Sequence, residues 1–324
     1  MVNQVAEGAK ISQLPILDLW VWLKPRGLDK LFDSVAPKDI EHFWKFVDES
    51  AEKRIKMEEE IQKHGPDAKN IRQDMFHYLM NAKDPVTGGP ALSRNDLLAE
   101  ANLLVVAGAD TTAVTMCGFF FYISRNPRIY TRLTNEIRST FDSVDEIRGG
   151  TKLSSCQYLR ACIDEGLRMC PAGGAELDRV VLPGGQEVEG TLLPEGVHVG
   201  CPTWGFLRNE EYFYDPNVYR PERWIVDEKT GVTAEDVARA QSCFFPFSSG
   251  PYNCVGKNLA MLEIMVTIAR TLYRMDLRAL PGDTMGEGSP ELPWGRRNRH
   301  VFQLTDAWIG LRNGPMVQFK KREV

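Results

Sequence analysis

The sequence has little of what marks several common classes of protein. Its 324 residues include only five histidines, none in a paired metal-binding motif, and a net charge of −5 provides no general basic surface for nucleic acid. The seven cysteines are odd in number and lack the spacing of a zinc site or a disulfide framework, which indicates a reducing compartment. There are no internal repeats, low-complexity tracts or glycine-rich nucleotide-binding loops.

The beginning of the sequence has neither the basic flank nor the apolar run of a signal or membrane anchor. Residues 1–7 are polar, and residues 14–23 are apolar apart from Asp18. The second segment is too short to span a bilayer and is typical of a core or interfacial segment. We therefore expect no membrane anchor in this chain.

What the sequence does contain is a loop, Phe-Ser-Ser-Gly-Pro-Tyr-Asn-Cys-Val-Gly at 247–256, that leads one cysteine to an apolar helix. Cys254 lies where free backbone amides and the helix dipole favour a thiolate. Gly250 and Gly256 permit a positive φ or a close backbone approach, and Phe247 can limit the access of water to the sulfur. A single cysteine argues against tetrahedral zinc, so the loop predicts a thiolate that binds a metal from one side. The alternative for an isolated cysteine is a small buried hydrophobic residue.

This loop resembles the haem-binding loop of the cytochrome P-450 family, whose axial iron ligand is a cysteine thiolate. The resemblance implies that Cys254 ligates the iron of haem b, iron protoporphyrin IX, and that Phe247, Gly250, Tyr252 and Gly256 surround it. One departure is visible two positions before the cysteine, where the family usually carries Arg or His. Tyr252 can donate a hydrogen bond to a haem propionate there, but it carries no positive charge.

A long predicted helix, capped by Ser93 and running from Asn95 to about Asn126, is interrupted by the polar stretch 107–112. A transmembrane helix is one alternative for this apolar segment. An aspartate at the centre of such a helix would cost about 2.5 to 3.5 kcal/mol, so Asp110 disfavours it. The pattern predicts a buried helix with a functional break.

This stretch resembles the central-helix motif of the same family. The resemblance implies that Ala107 and Gly108 leave room for oxygen above the haem, while Asp110 and Thr111 deliver protons through a local distortion of the helix. The alternative is that Thr111 bonds back to a carbonyl one turn earlier and only bends the helix.

A third motif combines Glu165 and Arg168 on one helix face with Arg223 in a later Pro-Glu-Arg-Trp segment. A Glu–Arg pair at this spacing is usually a surface ion pair of little energetic value. In the family, the three equivalent residues form a buried network behind the haem loop. The resemblance implies the same here, with a cost of about 3 to 5 kcal/mol for removing one member.

Short strand-like pieces after residue 176 predict a small β region, and residues 305–311 followed by 314–319 predict a terminal β-hairpin. The resemblance implies that Arg179 meets a haem propionate. It also implies a group of residues that line an apolar substrate pocket: Leu104, Val105, Ala172, Gly173 and Ile309. A turn-rich connector is the alternative for the small residues among them.

The sequence as a whole predicts a mainly α fold with a minor β part, a cytochrome P-450 fold without its N-terminal helices and most of its β-sheet. We expect one incomplete haem-binding domain over 1–324: surface and channel-roof helices at 1–92, the central helix at 93–126, and the haem-binding core at 155–324.

The function implied is that of a fungal microsomal monooxygenase that hydroxylates or epoxidises an apolar small molecule in secondary metabolism. It would use dioxygen and electrons from an NADPH-dependent flavoprotein reductase. Full-length relatives are expected on the cytosolic face of the endoplasmic reticulum membrane. For a chain without an anchor, the expected location is the cytoplasm or is unknown. Two alternatives remain: an inactive remnant that serves as an interaction fragment, and a haem-thiolate isomerase or dehydratase.

Overall fold

The structure is a computed structural model that describes residues 38–64, 74–306 and 309–323; the apolar segment 14–23 lies outside them. Helices supply most of its regular structure, and the strands are short, which confirms a mainly α fold with a minor β part. Two compact units, residues 1–110 and 111–324, are described separately below.

The α-helices of the described residues, in chain order, are α1 Lys38–His64, α2 Met75–Asn81, α3 Arg94–Arg125, α4 Pro127–Thr140, α5 Thr151–Ser154, α6 Gln157–Met169, α7 Thr203–Phe206, α8 Ala234–Ser242 and α9 Lys257–Arg274. Two 3₁₀ turns are Val144–Glu146 and Pro221–Trp224. The strands are β1 Arg179–Val180, β2 Gln186–Val188, β3 Thr191–Leu193, β4 His198–Val199, β5 Met275–Ala279, β6 Leu304–Thr305, β7 Leu311–Arg312 and β8 Val317–Lys321.

The first unit is built on one apolar stripe of α1. Phe43, Val47 and Ala51 recur every four residues and pack with Ala101 of α3. Ser93 caps α3 as the sequence predicted: its hydroxyl accepts from the amide of Asp96 at 3.3 Å, and the Asp96 carboxylate accepts from the amide of Ser93 at 2.8 Å.

A buried carboxylate, Glu58, lies on this face of α1 and joins it to α2. Its side chain is 1% exposed and lies 2.9 Å from Nη1 of Arg54, 2.6 Å from Nδ1 of His77 and 3.1 Å from Nδ2 of Asn81. Arg54 also forms a two-pronged ion pair with Asp74, whose carboxylate caps α2. Burial alone would raise the pKa of Glu58, but these hydrogen bonds outweigh it and lower the pKa below its ordinary value.

We expect Glu58→Ala to weaken the attachment of α2 by about 1.5 to 3 kcal/mol, because it removes the buried carboxylate that joins Arg54 of α1 to His77 and Asn81 of α2. Hydrogen exchange of the α2 amides measures this. Because the folded-state pKa is depressed, the contribution of Glu58 is present at neutral pH and is lost as the pH falls through that value. Glu49→Ala is the control, since Glu49 pairs with Lys45 at 3.8 Å on an exposed surface. Equal protection in both variants would contradict this account.

Helix α3 is continuous over Arg94–Arg125, so the predicted break at 107–112 is wrong. Gly108, Asp110 and the two threonines have weak helix propensity, but Ala107 and Ala109 favour a helix, and the helical residues on both sides extend through the stretch. The prediction of a buried helix holds for the second half, which contains Phe119, Phe121 and Ile123. In the first half, Leu103 and Val105 are 58% and 38% exposed. Among the described helices, α3 alone is long and apolar enough to cross a membrane by length and composition.

The core of the second unit consists of the second half of α3 together with α4, α6 and α9. Helix α9 buries a face of residues at helical spacing: Met261, Ile264, Met265, Ile268, Ala269 and Leu272. The rings of Tyr122 and Tyr219 stack at 4.6 Å, and the Tyr219 hydroxyl donates to the carbonyl of Cys162 in α6 at 2.7 Å. These contacts fix α6 and α9, the two helices on which the candidate site depends.

The predicted β region after residue 176 is present as two antiparallel pairs, β1 with β4 and β2 with β3. The β2–β3 turn has positive φ at Glu189 and Gly190, as a two-residue hairpin turn requires. The predicted terminal hairpin is only partly correct. Strand β6 pairs with β7, but β8 pairs with β5 over five residues instead of with its predicted partner. The longer ladder satisfies more backbone groups than a two-residue strand could.

Candidate haem-binding site

The cysteine loop is held by its own backbone in a shape that ends at α9. The Cys254 amide donates to the carbonyl of Phe247 at 2.9 Å, and the Lys257 amide donates to the carbonyl of Cys254 at 3.3 Å. Gly250 has a φ of 76°, so the positive φ expected of a glycine is found there. Gly256 has a φ of −81° and forms the N-cap of α9. Ser248, at a φ of 60°, is a left-handed residue that the sequence did not indicate.

The cysteine of the loop is exposed, and so are its neighbours. Cys254 is exposed, and Tyr252 and Val255 are 80% and 97% exposed. The opposite side of the loop is anchored, because Phe247 packs against the core of the second unit. A Cβ on Gly256 would lie 3.8 Å from the Cys254 sulfur, an ordinary van der Waals distance, so that side of the thiol is not crowded. The alternative of a buried cysteine therefore does not apply.

Arg179 approaches the same loop from strand β1. Its guanidinium carbon lies 5.8 Å from the centroid of the Tyr252 ring, within the range of a cation–π contact. Nη1 of Arg179 donates to the carbonyls of Leu177 and Asp178, both at 2.9 Å. The structure therefore places Arg179 beside Tyr252, two residues before Cys254, and the contact of Arg179 with a haem propionate stays a prediction.

The residues of the central-helix motif follow one another on α3. Ala107 and Gly108 are exposed, and Asp110 and Thr111 are half-buried. A Cβ on Gly108 would meet no atom of the described residues within 4 Å. The Thr115 hydroxyl donates to the carbonyl of Thr111 at 3.0 Å, which is the bond to the preceding turn that threonine commonly makes in a helix.

Glu165 is the centre of a fully buried ionic network in the second unit. Nε and Nη2 of Arg168 donate to its two carboxylate oxygens, both at 2.9 Å, and Nε of Arg223 donates at 3.0 Å. The side chains of Glu165 and Arg168 are 0% exposed and that of Arg223 is 7% exposed. Burial alone would raise the pKa of Glu165, but the charges of Arg168 and Arg223 outweigh it and lower the pKa. The three residues come together as predicted, and a surface ion pair is excluded.

The network reaches the segment before the cysteine loop through aromatic packing that the sequence did not reveal. The indole Nε1 of Trp224 donates to Glu165 at 3.0 Å, and the Trp224 ring lies 4.6 Å from that of Phe244. Phe244 begins the segment that leads into the loop at 247–256. In the sequence, the only signal for this contact is that Trp224 directly follows Arg223. A tryptophan by itself indicates no more than a core residue. Glu165 is thus linked through Trp224 to the segment that precedes the loop.

Two of the predicted pocket segments meet in the second unit. The amide of Gly310, next to Ile309, donates to the carbonyl of Ala172 at 2.7 Å. Gly173 is exposed and Ala172 and Ile309 are half-buried. Leu104 and Val105 belong to the first unit and lie on α3. The role of all five of these residues in lining a substrate pocket stays a prediction.

Comparison with known proteins identifies the family. The sequence profile of the cytochrome P-450 family matches residues 9–291. Cytochrome P-450 monooxygenase fscF of Fusarium equiseti is 36% identical over 312 residues, which cover 96% of this chain and 57% of that protein.

Two proteins of Gibberella fujikuroi are also similar. The monooxygenase apf8 is 43% identical over 249 residues, 77% of this chain and 66% of that protein, and apf7 is 41% identical over 262 residues, 78% and 47% respectively. The chain thus spans 47% to 66% of the length of these three curated relatives. From the match over 9–291 and these identities, we conclude that the chain belongs to the cytochrome P-450 family.

Proposed function

We propose that this chain binds haem b through the Cys254 thiolate and serves a monooxygenase that acts on an apolar small molecule. The observation that carries the proposal is the exposed thiol of Cys254 on a backbone-fixed loop at the start of α9. Family membership supports it, because haem is the cofactor that the family implies. The three relatives named above are monooxygenases by name, which favours the same reaction here.

The residues around Cys254 fit a flat, largely apolar group with anionic edges. The exposed side chains of Val255 and Tyr252 flank the thiol with apolar surface that no described part of the protein covers. Arg179 provides a cation beside this surface, suited to a carboxylate. A Cβ on Gly250 would meet no described atom within 4 Å, so this part of the loop also offers space.

Haem supplies the activation of dioxygen when it is bound. Cys254 would hold the iron of that group through its sulfur, while Phe247 keeps one side of the loop in the protein core and away from water. The Thr111 hydroxyl on α3 would deliver a proton. The Asp110 carboxyl, adjacent in sequence, would then supply a new proton to that hydroxyl. Arg179 would pair with a propionate of the porphyrin, and the Tyr252 ring would lie beside it at the same edge of the group.

The substrate and partners follow from the same proposal. The suggested pocket residues Leu104, Val105, Ala172, Gly173 and Ile309 are apolar or small, which favours an apolar substrate that is hydroxylated or epoxidised, as in secondary metabolism. Electrons would come from an NADPH-dependent flavoprotein reductase, since the sequence has no nucleotide-binding glycine loop of its own. Full-length relatives would work at the cytosolic face of the endoplasmic reticulum membrane.

The proposal is tested by loading the purified chain with haem, reducing it and recording the spectrum with carbon monoxide. We expect the red-shifted Soret band of a thiolate ligand. A chain that takes up no haem would instead support the alternative of an inactive interaction fragment. Haem uptake with an unshifted band would exclude both Cys254 ligation and the isomerase or dehydratase alternative, because that enzyme also requires the thiolate.

The proton-delivery role predicts a specific defect in Thr111→Ala. Substrate oxidation should fall about 100-fold while oxygen consumption continues, since proton delivery by a positioned side chain typically contributes 10²- to 10⁴-fold. The measurement is product formed per dioxygen consumed in the reductase-coupled enzyme. Thr111→Ser, which keeps the hydroxyl, should retain most of the coupling. If Thr111→Ala couples as well as the unaltered chain, the hydroxyl delivers no proton.

A further inference from the structure

Tyr252 is the residue at which the cysteine loop departs from the family pattern, and it has no evident structural task. Its side chain is 80% exposed, and within the described part of the chain it stacks on no other aromatic ring. The contact that distinguishes it is with Arg179, whose guanidinium carbon lies 5.8 Å from the Tyr252 ring centroid. The two residues come from different elements, the loop before α9 and strand β1.

The charge of Arg179 is fixed in place but not neutralised. Two carbonyls, of Leu177 and Asp178, anchor Nη1 at 2.9 Å each, and β1 is paired with β4. No carboxylate of the described residues lies within 4.0 Å of the guanidinium. The adjacent Asp178 is instead paired with His198, whose Nδ1 lies 2.5 Å from its carboxylate. Arg179 is therefore available to an anionic group beside the loop.

We propose that Tyr252 is a positioning residue for Arg179. The face of the phenol ring attracts the guanidinium and holds it next to Cys254, so that β1 supplies the positive charge that position 252 lacks. The proposal rests on haem binding by Cys254 and deepens it: Arg179 meets the carboxylates at the edge of the porphyrin, and the Tyr252 ring keeps it there. The ring is required for this role and the hydroxyl is not.

The test is the rate at which haem leaves the loaded full-length chain for an excess of apomyoglobin. Tyr252→Leu should release haem about two- to fivefold faster, the range that an exposed cation–π contact provides. Tyr252→Phe should match the unaltered chain. Arg179→Gln should also release haem faster, and adding Tyr252→Leu to it should change nothing further, because Tyr252 acts through Arg179.

A matched control is the exposed pair of Tyr214 and Arg220, with a guanidinium-to-ring distance of 5.6 Å. Tyr214→Leu should leave haem release unchanged. A Tyr252→Phe variant as fast as Tyr252→Leu would assign the effect to the hydroxyl, and additive effects of Tyr252→Leu and Arg179→Gln would show independent action. Either result overturns the proposal.

A measurement without haem separates this proposal from the function on which it rests. In the haem-free chain, the ring current of Tyr252 should shift the side-chain NMR resonances of Arg179, and Tyr252→Leu should abolish the shift. If the shift is present but the chain takes up no haem, the proposed function fails and the positioning role falls with it. If haem binds but the shift is absent in the unaltered chain, only the positioning role fails.

Discussion

Replacing Cys254 by serine should abolish the thiolate-type carbon monoxide spectrum of the haem-loaded chain and greatly weaken haem retention. Losing a group that merely supports a metal ligand already costs about 10- to 100-fold in affinity, and Cys254 is the proposed ligand itself. A serine hydroxyl is a far poorer donor to iron, although it has almost the same size. The loop is fixed by backbone hydrogen bonds of Phe247 and Lys257, so the substitution should leave its shape intact.

Cys201 provides the matched control for this substitution, because it is the other exposed free cysteine of the described residues. Cys201→Ser should keep the thiolate-type spectrum and the haem affinity of the unaltered chain. The result that contradicts the assignment is a thiolate-type band that survives in Cys254→Ser and disappears in Cys201→Ser.

Replacing Glu165 by alanine should lower the free energy of unfolding by about 3 to 5 kcal/mol, the loss expected when one partner of a buried ion pair is removed. The two arginines Arg168 and Arg223 would remain buried without their shared carboxylate. Trp224 would lose its acceptor, and through Phe244 the change should reach the cysteine loop. We therefore expect weaker haem binding in addition to lower stability, measured by denaturant unfolding and haem titration.

The surface pair of Glu235 and Arg239 on α8 is the control for Glu165→Ala. Its atoms are 3.6 Å apart, and the side chains are 87% and 48% exposed. Glu235→Ala should change the unfolding free energy by at most about 0.5 kcal/mol. Similar values for both variants would mean that the network around Glu165 contributes no more than a surface ion pair.

Lowering the pH should destabilise the network around Glu165, because its carboxylate then takes up a proton. Because the folded-state pKa of Glu165 is lowered, its contribution is fully present above the unfolded-state pKa and is lost as the pH falls through the folded value. Glu165→Gln should flatten this part of the stability profile. An unchanged acid limb in Glu165→Gln would assign the acid sensitivity to other carboxylates.

Much of this structure could be predicted from local sequence signals. Helix bounds followed from apolar spacing and from caps such as Ser93, and the apolar run after Cys254 predicted α9. Glu165 and Arg168 share a helix face by spacing alone, and the family resemblance added Arg223. The helices and the Glu165–Arg168 pair depend on residues close in sequence. Arg223 could be added because the family's motifs follow one another in a fixed order along the chain.

The features that the sequence did not predict depend on contacts between distant residues. Strand β8 pairs with β5 because a five-residue ladder was available after α9, and no local pattern indicates that choice. Helix α3 continues through 107–112 because its apolar flanks outweigh the weak helix propensity of the polar stretch. The contacts of Trp224 with Glu165 and of Arg179 with Tyr252 likewise exist only after the chain has folded.

The most direct test of the account is the X-ray absorption spectrum at the iron edge of the haem-loaded full chain, which identifies the atoms bound to iron. We predict four porphyrin nitrogens and one sulfur neighbour, with the sulfur lost in Cys254→Ser. An iron that has only nitrogen or oxygen neighbours in the unaltered chain would contradict ligation by Cys254.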